Sequence, residues 1–351
     1  MSASLFEHPF YADLVGDPEV AGVLSAETEI LTMLAVEIAL AQAQAEAGLI
    51  PHEAAREIAS RLSTVTQDAA ELARTVGRDG VAGPGFVAQL RAAVGDPFGA
   101  FVHFGATSQD LADSALMIRL RMAVVAFEGR IGRLDRALSA LAERLGEAPL
   151  MARTRMQAAL PIAARDRIEA WRAPLAGLRD VPSELFAVQL GGPVGTLAEM
   201  GAAGPAVRAG LAAALGLVDV PAWHNQRDRL VRIADWLARV SGVVGKMGQD
   251  IALMAQMGEI ALEGGGTSSA MPHKQNPIAA EVLVALARYN ATLVGGMHHA
   301  QVHEQERSGA AWTLEWLVLP QMLMTTGAGL QVSLRLADAI VSIGEGGGSH
   351  G

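Results

Sequence analysis

Two long stretches of this chain place apolar residues alternately three and four positions apart, and this spacing restricts the possible folds more than any other feature. It keeps one face of a helix apolar over many turns, so it predicts long helices packed side by side in a bundle. Helices of about 30 residues would be about 45 Å long. The glycines within these stretches favour a globular bundle over a rod. The apolar positions are 117, 120, 124, 127, 131, 134, 138, 141 and 145 in the first stretch and 230, 233, 237, 240, 244, 247, 251 and 254 in the second.

The rest of the chain is also rich in helix-forming residues. Ala and Leu abound, aromatic residues make up only 4% of the chain, and β-branched runs are scarce, so the predicted fold class is all-α. Residues 31–47 predict one helix, and a glycine and a proline follow to end it. We expect one or two short helices in residues 51–76, one in residues 77–99, and a longer one between Pro277 and His303.

The pattern changes near residue 98, which predicts two domains and a tail. Residues 1–98 are expected to form an N-terminal helical domain, and residues 99–341 a central long-helix bundle that carries the active-site segments. A chain of 351 residues is long enough for about two domains. Residues 342–351 include the Gly-rich sequence GEGGGSHG and are expected to form a flexible tail.

Composition excludes several classes of function. The absence of cysteine excludes disulfides, iron–sulfur clusters, Cys-ligated zinc and thiol catalysis. The 27 basic and 37 acidic residues give a net charge of −10 with no basic tail, which argues against nucleic acid as a partner. The longest uncharged run, residues 316–334, contains Pro320 and several polar residues, and no secretory signal is visible. We therefore expect a cytoplasmic protein with no membrane and no nucleic-acid partner.

Lysine is rare in this chain. Of the 27 basic residues only Lys246 and Lys274 are lysines, and the others are arginines. A lysine that persists against this bias either marks a place where a compact ammonium group is required or is a surface residue present by chance.

A first polar segment, HFGATSQD at residues 103–110, comes directly before the first apolar stretch. Thr107 or Ser108 is a good helix N-cap, with Asp110 in the first turn of the helix. The free N–H groups and hydroxyls of a helix start also bind carboxylates. The segment is therefore either a structural cap alone or a cap that also forms part of an anion site.

A second polar segment, RTRMQ at residues 153–157, has two arginines and a glutamine within five residues. Arg153, Thr154, Arg155 and Gln157 form either a solvated turn or a forked clamp for a carboxylate.

A third polar segment covers residues 264–277 and begins with three glycines. It contains Ser268, His273, Lys274 and Asn276. It does not match a phosphate-binding loop, because the residue directly before Lys274 is not glycine and the residue after it is glutamine. We expect no metal here, since His273 has no ligand partner at a suitable spacing. The alternatives are an active-site loop and a purely structural loop.

The third segment contains GTSSAMPHKQNP, which closely resembles the signature loop of the fumarase/aspartase superfamily. The segments HFGATSQD, RTRMQAALP and QLGGPVGT (residues 189–196) precede it in the order typical of that superfamily, and the resemblance covers residues 31–323. It implies a fumarase/aspartase-type long-helix bundle, in which the small third C-terminal domain of most members is missing from this chain.

The resemblance also implies a site. It assigns catalysis to Ser268, Lys274 and Asn276, with either Ser268 or a water molecule as the proton donor. It implies no cofactor and no metal, and a homotetramer with composite active sites, each built from three chains. The substrate-binding residues that it implies are Thr107, Ser108, Arg153, Thr154, Arg155, Gln157, His273 and Arg307.

Within the superfamily, the chain is most similar to the cycloisomerases that form a lactone from a small tricarboxylate. Its TSQD motif, the segment WHNQRDR at residues 223–229 and the run at residues 306–316 are typical of that branch. Arg155 stands where the amine-releasing lyases have a histidine that protonates the leaving group. An adenylosuccinate-type lyase and a non-catalytic helical scaffold remain the alternatives.

Overall fold

The computed structural model describes residues 4–264, 266, 271 and 275–344, and 68% of the chain is helical, which confirms the all-α class. The α-helices of this part are α1 (Ala12–Val15), α2 (Pro18–Val23), α3 (Ala26–Glu46), α4 (His52–Leu62), α5 (Ala69–Asp79), α6 (Gly83–Val94), α7 (Ser108–Leu145), α8 (Ala164–Ala176), α9 (Gly204–Leu215), α10 (Asp228–Gln256), α11 (Ile278–Ala300) and α12 (Gly309–Ala339). Short 3-10 helices cover Leu5–Glu7, Phe98–Phe101, Ser183–Leu185 and Ala198–Ala203. The strands are β1 (Pro149–Thr154), β2 (Gln157–Ala163), β3 (Ile260–Leu262) and β4 (Ile340–Ile343).

The first apolar stretch forms one face of α7, as its spacing predicts. This helix has 38 residues, which corresponds to a length of about 57 Å. It begins after the N-cap Thr107 and ends at Gly146. The apolar residues from Met117 to Leu141 are almost completely buried in the main hydrophobic core. Helix α7 therefore spans the bundle from one end to the other.

Helices α7, α10 and α12 run in the same direction. Arg227, just before α10, contacts Asp113 near the start of α7 and Glu315 near the start of α12. At the other end, Arg144 of α7 donates to the Ile340 carbonyl oxygen after α12, at 2.7 Å. We name these the amino end and the carboxyl end of the bundle, after the direction of α7.

Helix α11 runs antiparallel to α10 and packs closely against it. A Cβ atom at Gly248 of α10 would lie 2.6 Å from the Ala280 carbonyl oxygen, so only glycine permits this approach. Farther along, the buried Asn290 side chain donates to Ser241 of α10 at 2.7 Å and to Thr326 of α12 at 2.9 Å. These polar contacts fix the register of the three helices within an apolar core.

Two short antiparallel sheets are features that the apolar spacing does not predict, and both lie at the carboxyl end. Strand β1 pairs with β2, and β3 pairs with β4. Strand β4 includes Ser342 and Ile343, which pair with Ala261 and Ile260. These two residues therefore belong to a strand and not to the tail that the sequence predicts from residue 342.

Helix α11 is the one helix of the described chain that is long and apolar enough, by length and composition alone, to cross a membrane. Most of its residues are exposed or only partly buried within this chain. Length and composition do not distinguish a membrane span from a helix that other protein covers. The exposed residues of α11 include Glu281, Arg288 and His299, so the open side of this helix is of mixed polar and apolar character.

Candidate active site

The first polar segment caps α7. Thr107 is the N-cap residue, and its backbone N–H donates to the Asp110 carboxylate at 3.0 Å. Ser108 is the first residue of the helix, and a Cβ atom at Gly83 would lie only 2.4 Å from its hydroxyl oxygen. The side chain of Ser108 is thus held against the start of α6. The capping interpretation of this segment is confirmed, and it leaves the anion-site interpretation open.

Asp110 connects the capping segment to two distant parts of the chain. Its carboxylate accepts the N–H groups of Gly191 and Gly192 at 2.8 and 2.9 Å, and lies 2.7 Å from His224 Nε2. The side chain of Asp110 is 3% exposed. One buried carboxylate therefore joins residues 103–110, 189–196 and 223–229.

Arg307 lies at the same end of the bundle. Its Nε donates to the Gln109 side chain at 3.0 Å, and its second guanidinium branch donates to the Pro193 carbonyl oxygen at 3.1 Å. Arg307 is exposed. The amino end thus presents the predicted binding residues Thr107, Ser108 and Arg307 together.

A buried ion network, which no sequence motif predicts, underlies this end. Arg227 donates to Asp113 at 2.7 and 2.9 Å and to Glu315 at 2.8 and 2.6 Å, and all three side chains are at most 1% exposed. Burial alone would lower the pKa of Arg227, but the two carboxylates raise it above its ordinary value. The guanidinium also lies 4.8 Å from the Trp223 ring centroid. The only sequence signal was the WHNQRDR segment, which did not reveal these partners.

His103 and Glu37 form a second buried pair. His103 Nδ1 lies 2.5 Å from Glu37 Oε1, and the side chains are 10% and 1% exposed. Burial lowers the pKa of His103, but Glu37 and Asp110 raise it by more, so that it lies above its ordinary value. The pair joins the first polar segment to α3.

The second polar segment forms the tip of the β1–β2 hairpin. Thr154 pairs with Gln157, so Arg155 and Met156 make the two-residue turn, with φ angles of 47° and 67°. Arg153 lies 2.6 Å from Glu259. In the described part of the chain, Arg155 has no hydrogen bond or ion pair and is exposed. The two arginines are therefore not equivalent.

The third polar segment is described only in part. Ser268, His273 and Lys274 lie outside the described residues. Gly266 and Asn276 form an isolated antiparallel bridge, with two N–H···O bonds of 2.9 Å, and Asn276 is half-buried. A Cβ atom at Gly266 would lie 2.5 Å from Ile278, so this bridge requires glycine.

The described site residues fall into two groups at opposite ends of the bundle. Thr107, Ser108 and Arg307 lie where α7 begins. The β1–β2 hairpin starts just after α7 ends, about 57 Å away. A six-residue strand reaches back by only about 20 Å, so it does not close this gap. The second group consists of Arg153, Thr154, Arg155, Gln157 and Asn276. One chain does not bring the two groups together.

No group of three His, Asp or Glu side chains that could hold a metal ion occurs among the described residues. His298, on α11, lies 3.1 Å from the Asp235 carboxylate, and both side chains are exposed.

A family model described as "Lyase" matches residues 18–289, and the chain belongs to this lyase family, the fumarase/aspartase superfamily. The 3-carboxy-cis,cis-muconate cycloisomerase of Acinetobacter baylyi is 35% identical over 339 residues, covering 92% of this chain and 75% of that protein. The enzyme of the same name from Pseudomonas aeruginosa is 37% identical over 331 residues, covering 91% of this chain and 72% of that protein. The crystal structure of 3-carboxy-cis,cis-muconate lactonizing enzyme from Pseudomonas putida matches with a TM-score of 0.89 and 32% identity, covering 95% of this chain and 77% of that one.

Proposed function

We propose that this enzyme is a 3-carboxy-cis,cis-muconate cycloisomerase, which forms 4-carboxymuconolactone during protocatechuate breakdown in the β-ketoadipate pathway. The observation that carries the proposal is the similarity to enzymes of this name, at 34–37% identity over more than nine tenths of the chain. Arg155 at the hairpin tip supports this reaction over amine release, since it stands where the amine-releasing lyases have their acid.

The three carboxylates of the proposed substrate have different tasks. One adds to the diene and forms the new C–O bond of the lactone. The electrons of the attacked double bond move to the next carbon and its carboxylate, which gives a dianionic aci-carboxylate that is then protonated on carbon. The third carboxylate stays on the carbon that is attacked. Every atom of the substrate is thus retained in the product, which also gains one proton.

The catalytic proposal concerns the aci-carboxylate, which is the most difficult species to stabilise. Lys274 and Asn276 are proposed to stabilise it with a cation and a hydrogen-bond donor, and Ser268 or a water molecule to supply the proton. The strong bias of the chain towards arginine supports a specific need for an ammonium group at Lys274.

The binding proposal concerns three negative charges on a substrate that meets a protein of net charge −10. Local cations must therefore attract the substrate. Arg155 and Arg307 are exposed and suit this task, aided by hydrogen bonds from Thr107, Ser108, Thr154 and Gln157 and by His273. The ion pair between Arg153 and Glu259 supports a positioning role for Arg153 at the base of the hairpin tip.

The assembly proposal is a homotetramer in which each active site takes segments from three chains. Two observations support it. The described site residues lie at opposite ends of a helix about 57 Å long. Helix α11 has few fully buried residues, and half-buried apolar side chains such as Leu293 and Val294 leave surface for other copies to cover.

The test of the proposed function is a comparison of substrates. The purified protein is incubated with 3-carboxy-cis,cis-muconate and, separately, with adenylosuccinate, while the ultraviolet spectrum is recorded. We expect loss of the diene absorption and no change in adenylosuccinate, with the same rate after exhaustive EDTA treatment. Turnover of adenylosuccinate alone would favour the lyase alternative. If neither compound is turned over, the result would favour the non-catalytic scaffold. A cytoplasmic location belongs to the same proposal, and cell fractionation tests it.

A further inference from the structure

The tip of the β1–β2 hairpin has an unusual backbone. Both residues of its two-residue turn have positive φ angles, 47° at Arg155 and 67° at Met156. Turns of this kind are usually made by Asn-Gly, because glycine has no Cβ atom to clash and asparagine tolerates the left-handed region. Arginine and methionine are unfavourable there. The chain therefore retains strain at a place where a better turn sequence exists.

The neighbouring residues hold this strained turn in place. Thr154 and Gln157 are paired at its base. One residue earlier, Arg153 pairs with Ala158 in the ladder, and its side chain lies 2.6 Å from the Glu259 carboxylate. Strain that persists because its surroundings enforce it is a feature of functional sites.

The side chain at the tip is available for a ligand. Arg155 is exposed and has no hydrogen bond or ion pair with the described part of the chain, in contrast to Arg153. A guanidinium presents a planar fork of donors that matches one carboxylate in a bidentate geometry. An arginine that only contacts solvent would need neither a strained turn nor a strand held by an ion pair.

We propose that Arg155 determines specificity by binding the third carboxylate of the substrate, the one on the carbon that is attacked. This inference rests on the proposed function. The attacking carboxylate must remain free to form the C–O bond, and the aci-carboxylate is assigned to Lys274 and Asn276. The third carboxylate repels the attacking one as the bond forms, and a fixed cation beside it reduces that repulsion. A dicarboxylate would gain nothing from Arg155.

The test uses a matched pair of unreactive ligands. Tricarballylate is glutarate with one added central carboxylate. The ratio of their dissociation constants, measured by calorimetry on the full chain, therefore gives the contribution of the third carboxylate to binding. We expect Arg155→Met to weaken the binding of tricarballylate by about 10- to 100-fold, which is the effect of hydrogen bonds to one charged group. The dissociation constant of glutarate should stay unchanged. Arg165→Met is the control, because it removes an exposed arginine of the same end and should change neither constant.

A second readout separates binding from structure. We expect Arg155→Asn to raise the melting temperature slightly, because asparagine tolerates the left-handed region, while it weakens tricarballylate as Arg155→Met does. The inference is overturned if wild type does not prefer tricarballylate to glutarate, or if Arg155→Met leaves that preference intact. Calorimetry needs no turnover, so the carboxymuconate assay of the wild type decides separately whether the proposed function fails.

Discussion

Among single residues, Arg227 has the most demanding surroundings. It is the cation between Asp113 and Glu315, and all three side chains are at most 1% exposed. Removal of the cation leaves two buried carboxylates without their guanidinium partner. We therefore expect Arg227→Met to lower the free energy of unfolding by about 3–5 kcal/mol, measured by urea denaturation.

Two control variants accompany this prediction. Arg78→Met removes an exposed arginine, paired with Asp79, and should leave the urea midpoint almost unchanged. Combining Arg227→Met with Asp113→Asn and Glu315→Gln removes the uncompensated charges and should recover much of the loss. A single Arg227→Met variant as stable as the wild type would show that the carboxylates do not need this cation.

His103 gives the stability a pH dependence of known sign. Burial lowers its pKa, but Glu37, 2.5 Å away, and Asp110 raise it by more, while Arg91 opposes them. A raised pKa means that the protonated form is favoured in the folded state. The stabilisation is therefore complete below the unfolded value of about 6.5 and is lost as the pH rises through the folded value.

The comparison of the wild type with Glu37→Gln tests this dependence. With the carboxylate removed, burial dominates and the pKa of His103 should fall below its ordinary value. We expect the urea midpoint of the wild type to decrease between pH 6 and 8.5, relative to the variant. If the urea midpoint changes with pH equally in the two proteins, the pair of His103 and Glu37 does not titrate in this range.

At the scale of elements, the start of α7 depends on more than its cap. Asp110 caps the helix and also accepts the N–H groups of Gly191 and Gly192. An asparagine has one acceptor oxygen, so Asp110→Asn leaves buried donors without a partner. We expect a loss of about 2–3 kcal/mol in the free energy of unfolding.

A second helix provides a matched control for Asp110. In α8, Asp166 accepts the Ala163 N–H at 3.0 Å from the same helix position, but it is exposed. Asp166→Asn should therefore cost less than Asp110→Asn in the same urea assay. If the two substitutions cost the same, the contacts to the glycine segment do not stabilise the fold.

The elements differ in how far the sequence predicts them. Apolar spacing identifies α7 and α10, because it reports directly which helix face is buried, and the proline-free stretch after Pro277 identifies α11. The hairpin of β1 and β2 is absent from that prediction, since its short strands are mostly exposed and carry no apolar period.

The candidate site shows the same limit. The motif residues are visible as local sequence, and Thr107 as the N-cap is confirmed. The partners of those residues come from far along the chain. His224 lies 114 positions from Asp110, and Glu259 lies 106 positions from Arg153. Local patterns contain no information on such pairs, which only the packing of the bundle brings together.

At the scale of the whole molecule, the separated site residues predict complementation. Thr107→Val damages the amino end of α7, whereas Ser268→Ala damages the third polar segment. If each site takes its segments from different chains, mixed tetramers contain some sites with neither substitution. We expect activity to return when the two inactive proteins are mixed, dissociated and reassembled.

The size of the assembly is the control for that experiment. Four chains of 36.6 kDa give about 146 kDa. Light scattering should give this mass for each single variant and for the reassembled mixture. Mixed tetramers of that mass without activity would contradict the composite site.

The length of α7 has a further consequence for any measurement of rate. A helix about 57 Å long keeps the two halves of a site apart within one chain, so on the composite model an isolated chain contains no working pocket. The rate per milligram then depends on how much of the protein is associated. Serial dilution should make the activity fall more steeply than the amount of enzyme, and the concentration at which this begins measures how tightly the copies hold one another.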